Sequence, residues 1–205
     1  MATGFFEKKE YPPKVIAMNE AVISLLAEGR EITSLRVSEI TERAGIGKGT
    51  AYEYFASTAE IIMSAMEYDL DKQIARLAEM EEKATGFRDM LETLMAWVAE
   101  NFRNHSVFTY AFRRDAGVRE MSKDLEPDAC PFEAGREGIR RMTEEVLEIG
   151  EREGIIKKMN HYFGTVAIFS QLMLFSFYLG NPQDEKVTVE EAKEFAVNSI
   201  IKMLN

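Results

Sequence analysis

Apolar residues recur along this chain at spacings of three and four, and no stretch alternates at period two for long. That pattern predicts a succession of amphipathic helices. Val15, Ile16, Val22, Ile23, Leu25 and Leu26 define a first helix, ended by Gly29. Val37, Ile40, Thr41 and Ala44 define a short second helix, ended by Gly45. A third short helix runs from about Lys48 to Phe55. Ser57 with Glu60 reads as a capping box opening a helix to about Lys83, which carries Ile61, Ile62, Met66, Leu70, Ile74 and Leu77. Gly86 interrupts it. Further helices are expected over 87–104, in short pieces over 107–123, and over 132–153, 160–179 and 189–204, with "EPDACP" (Glu126 to Pro131) as a turn-rich break. The expected class is all-α, with about nine helices. Three compact helices form a small domain (residues 1–56), and longer helices form a larger one (57–205).

The segment from Phe163 to Gly180 differs from the rest. Apart from the near-neutral His161, no acidic or basic residue falls between Lys158 and Asp184, and the run reaches the length of a membrane span. Gln171, Ser170, Ser176 and two glycines weaken that reading. A helix buried in the protein, or against a second subunit, is the better expectation, with no membrane as partner.

Composition supports a soluble globular chain with a real core, at 46% hydrophobic residues and a formal net charge of −10. The first sixty residues are nearly neutral, so the acidity is concentrated beyond them. Cys130 is the sole cysteine, which suits a reducing cytoplasmic setting. The N-terminal "MATGFFEKKEYPP" lacks a signal-peptide core.

One motif carries chemistry. "AGIGKGTAYEYFAS" (Ala44 to Ser57) resembles a phosphate-holding loop at first glance. A P-loop requires a glycine where Glu42 stands and a hydroxyl where Gly49 stands; a dinucleotide fingerprint requires a glycine at Thr50 and a preceding strand. Both fail. A helix-turn-helix fits: "VSEITERA", the turn "GIG", then "KGTAYEYF". A step of 100° per residue puts Ala51 and Phe55, flanked by Tyr52, toward the core, and Gly49, Thr50, Glu53 and Tyr54 outward. Lys48 and Tyr54 suit backbone phosphates, which free N–H groups at the helix start also attract. Thr50 suits a base edge or thymine methyl. Glu53 has three readings: acceptor of a cytosine amino group, partner of a nearby arginine, or solvated surface residue. Tyr52 and Phe55 read mainly as core.

"SLRVSEITERAGIGKGTAYEYFASTAEII" (Ser34 to Ile62) resembles the DNA-binding region of the TetR (tetracycline-repressor-like) family of bacterial transcription regulators. The resemblance implies a homodimer that binds a palindromic double-stranded operator through recognition helices about one duplex turn (~34 Å) apart. It implies a small-molecule inducer in the larger domain and makes repression the expectation, with activation left open. No residue set in the sequence suggests catalysis, so no enzymatic activity is expected. By position it implies DNA contacts at Arg36, Lys48, Gly49, Thr50, Tyr52 and Tyr54. Thr58 stands where the family usually has a lysine, and Tyr54 where it often has histidine. Methionine and aromatic residues of the larger domain, a plain core on their own, become candidates for an inducer pocket: Met95, Phe102, Phe108, Phe112, Met142, Phe169 and Met173. The last two helices become the dimer interface, with Phe169, Leu172, Phe175, Phe195 and Ile200 as candidates.

His105 and His161 lack metal-ligand spacing, and neither a metal nor a cofactor is expected. Glu53, Thr58 and the acidic balance leave an alternative open: a helical small-molecule-binding protein with weak or lost DNA binding.

Overall fold

The structure is a computed structural model describing residues 10–103, 131–180 and 187–205. Among these, eight α-helices and one 3-10 turn account for the regular structure: α1 (Pro13–Ala27), the turn Ile32–Ser34, α2 (Val37–Arg43), α3 (Lys48–Tyr54), α4 (Thr58–Glu81), α5 (Phe87–Arg103), α6 (Pro131–Arg152), α7 (His161–Gly180) and α8 (Val189–Leu204). The 3-10 turn is not foreshadowed by periodicity, because three residues are too few to display one. The short helices expected over 107–123 lie outside the described residues, as do Cys130, His105, Phe108 and Phe112.

The helix ends obey local chemistry. Proline opens α1, where its missing N–H costs nothing and its φ is already helical. Gly29, Gly45 and Gly154 have φ of 85°, 68° and 69°. Each closes its helix with the same pair of hydrogen bonds. At α2, the Gly45 N–H donates to the Glu42 carbonyl (3.1 Å) and the Ile46 N–H to the Thr41 carbonyl (3.0 Å). This is the Schellman closure, which needs a left-handed residue at its hinge. Ser57 caps α4 by accepting from the Glu60 N–H (3.2 Å), as expected. The Glu60 carboxylate reaches back one residue further than a strict capping box, accepting from the Ala56 N–H (2.8 Å). A complete box forms at α8, where Thr188 and Glu191 bond reciprocally.

The chain packs as two compact units. One contains α1, the 3-10 turn, α2, α3 and α4 as far as Gln73; the other contains α4 from Ile74, α5, α6 from residue 136, α7 and α8. The division thus falls inside α4, not at residue 57. Three helices, two of them only seven residues long, enclose too little volume. Ile61, Ile62, Met63, Ala65 and Met66 of α4 close the core formed by Met18, Val22, Leu25, Ile40 and Ala51. Exposed ion pairs stitch its surface: Arg43 grips Glu28 through two bonds (2.7 and 2.8 Å), and Arg30 meets Glu39 (2.7 Å).

In the second unit, Leu91, Met95 and Val98 of α5, Leu147 of α6, Ile168, Leu172 and Phe175 of α7, and Val197 and Ile200 of α8 are buried. Two glycines set the helix spacing there. A Cβ on Gly150 would lie 2.7 Å from the Phe87 ring, and one on Gly164 would lie 2.7 Å from the Leu147 methyls.

Candidate nucleic-acid interface

The short helix α3 touches its own unit along a narrow line. Ala51 is its sole buried residue, and Phe55, just past its end, is half-buried against the core. These two are four residues apart and share one face. Gly47 caps the helix in extended conformation (φ −76°, ψ 149°), so the chain turns sharply from α2 into α3. Ile46 between the two glycines packs against the core and pins the turn.

The remaining α3 side chains face outward. Lys48, Gly49, Tyr52, Glu53 and Tyr54 are exposed, and Thr50 is half-buried. Tyr52, expected mainly in the core, is 59% exposed. The reason is the narrowness of the anchor. Ala51 and Phe55 suffice to seat one turn of helix, and Tyr52, rotated 100° from Ala51, falls beyond the contact. Tyr54 is 41% exposed, on the outward side as expected. A Cβ added at Gly47 or Gly49 would meet nothing within 4 Å. Neither glycine is required by crowding.

Arg36 caps α2 through its backbone, its carbonyl accepting from the Glu39 and Ile40 N–H groups, while its side chain is exposed. Thr58, the first residue of α4, is half-buried. The cations divide into two sets. Arg43, Arg30 and Lys72 are held by Glu28, Glu39 and Glu20. The Arg43 hydrogen bonds keep the Glu28 carboxyl below its ordinary range. The side chains of Lys14, Arg36 and Lys48 form no ion pair or hydrogen bond among the described residues. Glu53 likewise has no partner among the described residues, so no described arginine is restrained by it.

Candidate residues of the second unit fall on both sides of its helices. Met95 is fully buried; Phe102, Met142, Phe169 and Met173 are half-buried. Of the residues expected at a subunit interface, Leu172, Phe175 and Ile200 point into their own core, and Phe195 points outward. The first three are therefore corrected: they hold α7 and α8 against their own unit. The outward apolar surface is made instead by Phe163, Val166, Leu174 and Phe177 of α7, with Phe195 and Met203 of α8. Their spacing on α7 is helical, but so is that of the buried set. Sequence could not separate two faces that are equally apolar. By length and composition α7 could cross a membrane, and 33% of that stretch is buried. Among the described residues no cluster of His, Cys, Asp or Glu is arranged to hold a metal.

This architecture combines a helix-turn-helix unit with a helical unit whose last two helices, α7 and α8, leave large apolar side chains exposed. No protein-family model matches the chain. A bacterial regulatory protein in the TetR family from Rhodococcus RHA1 superposes with a TM-score of 0.64 at 14% identity, over 95% of this chain and 98% of that one. A transcriptional regulator FadR from Bacillus subtilis, solved in complex with stearoyl-CoA, superposes with a TM-score of 0.60 at 18% identity, over 92% and 96%. The fatty acid metabolism regulator protein of Bacillus subtilis is 33% identical over 78 residues, 38% of this chain and 40% of that protein. The fold of this chain is that of the TetR-family transcriptional regulators.

Proposed function

We propose that this protein is a homodimeric, DNA-binding transcriptional repressor, released from a palindromic operator by a lipophilic small molecule. The observation that carries the reading is α3. It is anchored by Ala51 and Phe55 and offers Lys48, Gly49, Thr50, Tyr52, Glu53 and Tyr54 to the outside, with Arg36 at the start of α2 making no ion pair among the described residues. A seven-residue helix displayed this way fits the major groove, while cations with no internal partner remain for phosphates.

The outward face of α7 and α8 supports the dimer. Phe163, Val166, Leu174 and Phe177 form an exposed apolar stripe on α7, and Phe195 and Met203 are exposed on α8, a surface suited to association. The opposite face of α7 packs against its own unit and buries Gln171 and Ser176. A second copy of the chain therefore covers this face more economically than lipid, and the protein resides in the cytoplasm. For the inducer, the half-buried Phe102, Met142, Phe169 and Met173 supply adaptable apolar lining. The similarity to a fatty acid metabolism regulator and to a FadR bound to stearoyl-CoA favours a long-chain acyl-CoA.

Fluorescence anisotropy with labelled DNA from upstream of the protein's own gene tests both halves. Tight, salt-sensitive binding that stearoyl-CoA reverses is expected. Binding of stearoyl-CoA without any DNA binding would leave the alternative, a small-molecule-binding protein.

A further inference from the structure

Resting on the DNA-binding reading, we infer that Glu53 is a specificity-determining residue that selects cytosine in the major groove. Its carboxylate has no ion pair or hydrogen bond among the described residues, although Arg30 and Arg43 of the same unit are paired with other glutamates. It stands between Tyr52 and Tyr54, both exposed, on the outward side of α3. Side chains on a helix lean toward its N-terminus, so the Glu53 side chain lies over the turn containing Gly49. That position is bare, and a Cβ there would touch nothing within 4 Å. A base edge has room to approach the backbone at the place the carboxylate overhangs.

The chemistry of the four base edges then decides. A carboxylate only accepts hydrogen bonds. Guanine offers two acceptors in the major groove and thymine offers one, so both repel it. Adenine offers an amino donor beside the N7 acceptor. Cytosine offers its N4 amino group with no acceptor on the same base edge. Phosphates also repel the carboxylate, which keeps Glu53 from serving as a backbone contact. Against a wrong base it would be desolvated with nothing to bond, and this penalty gives discrimination.

The test is selection from a randomised duplex library with the full-length protein, its Glu53→Gln variant and its Glu53→Ala variant, followed by binding to single-site duplexes. Because Glu53 is exposed and unpaired, both variants should fold, as circular dichroism will show. The wild type should enrich a two-fold site with cytosine at one position of each half. Replacing that cytosine should weaken binding roughly tenfold to a hundredfold. Glu53→Gln should shift the preference there to adenine, because an amide both donates and accepts. Glu53→Ala should lose preference at that position alone, with the remaining positions unchanged. Identical enriched sites for all three proteins would overturn the assignment while leaving DNA binding intact. A wild type that enriches no sequence would overturn both the assignment and the reading it rests on.

Discussion

Glycines that look alike in the motif have opposite physical roles. Gly45 sits at φ 68°, where a side chain is strained whatever the space around it. Gly49 lies inside α3 with open space around it, so a methyl there would be harmless to the fold. Gly45→Ala should therefore destabilise the protein by about 1–2 kcal/mol, and Gly49→Ala should stabilise it by ~0.5–1 kcal/mol, both measured by denaturant unfolding. If Gly49 is kept bare for close approach of DNA, Gly49→Ala should weaken operator binding while raising stability. A gain in stability with unchanged binding would remove Gly49 from the interface. Lys48 makes a second test at this scale. As an exposed cation without a partner among the described residues, it should contribute one phosphate contact per protomer. In a dimer, Lys48→Ala should flatten the slope of log K against log salt by ~1.8, twice the ~0.9 expected per phosphate.

At the scale of elements, α7 is two-faced without being amphipathic. Gly164, Ile168, Leu172 and Phe175 face its own unit, while Phe163, Val166, Leu174 and Phe177 face out. Charge is absent from both faces, so the outward one suits an apolar partner such as the proposed second copy. Phe177→Glu, or Phe195→Glu on α8, should convert a dimer to monomers in analytical ultracentrifugation without loss of helical content. The same replacement at buried Phe175 should unfold the unit instead, because a carboxylate would enter the core. A Phe177→Glu variant that still sediments as the wild-type dimer would sink the interface assigned to this face.

At the scale of the whole molecule, Glu81 is a carboxyl that resists ionisation in an acidic chain. Burial, with a further push from the Glu145 carboxylate, raises Glu81 from 4.5 to about 8. Between those values the folded protein keeps a proton that the unfolded chain has lost. Glu81 therefore lowers stability as pH rises through that window, by as much as ~1.4 kcal/mol per pH unit, and its full contribution is present only below about 4.5. Other carboxyls act in the opposite sense. Hydrogen bonds from Arg43 lower Glu28, and those from Thr188 lower Glu191. The difference between wild type and Glu81→Gln isolates the effect. The variant should gain stability relative to wild type steadily from pH 5 to pH 8. A constant difference over that range would show that Glu81 is solvated.

The sequence by itself determined where helices start and stop, because capping and left-handed glycine hinges are local chemistry. Gly29, Gly45 and Gly154, Ser57 and the Ala44–Gly47 turn were legible for that reason. It also determined that the glycine motif is a helix-turn-helix and that the segment from Phe163 to Gly180 is free of charge. Tertiary structure alone decided which apolar residues of that segment are core. Periodicity gives the angle of a side chain about its helix, not what lies opposite, and a helix apolar on all sides offers no asymmetry to read. For the same reason Tyr52 turned out exposed and Leu172, Phe175 and Ile200 buried. Glu53 stood out already in the sequence; the structure added that Arg30 and Arg43 of the same unit are bound to Glu39 and Glu28, a choice of partners that depends on distances between residues apart in the chain.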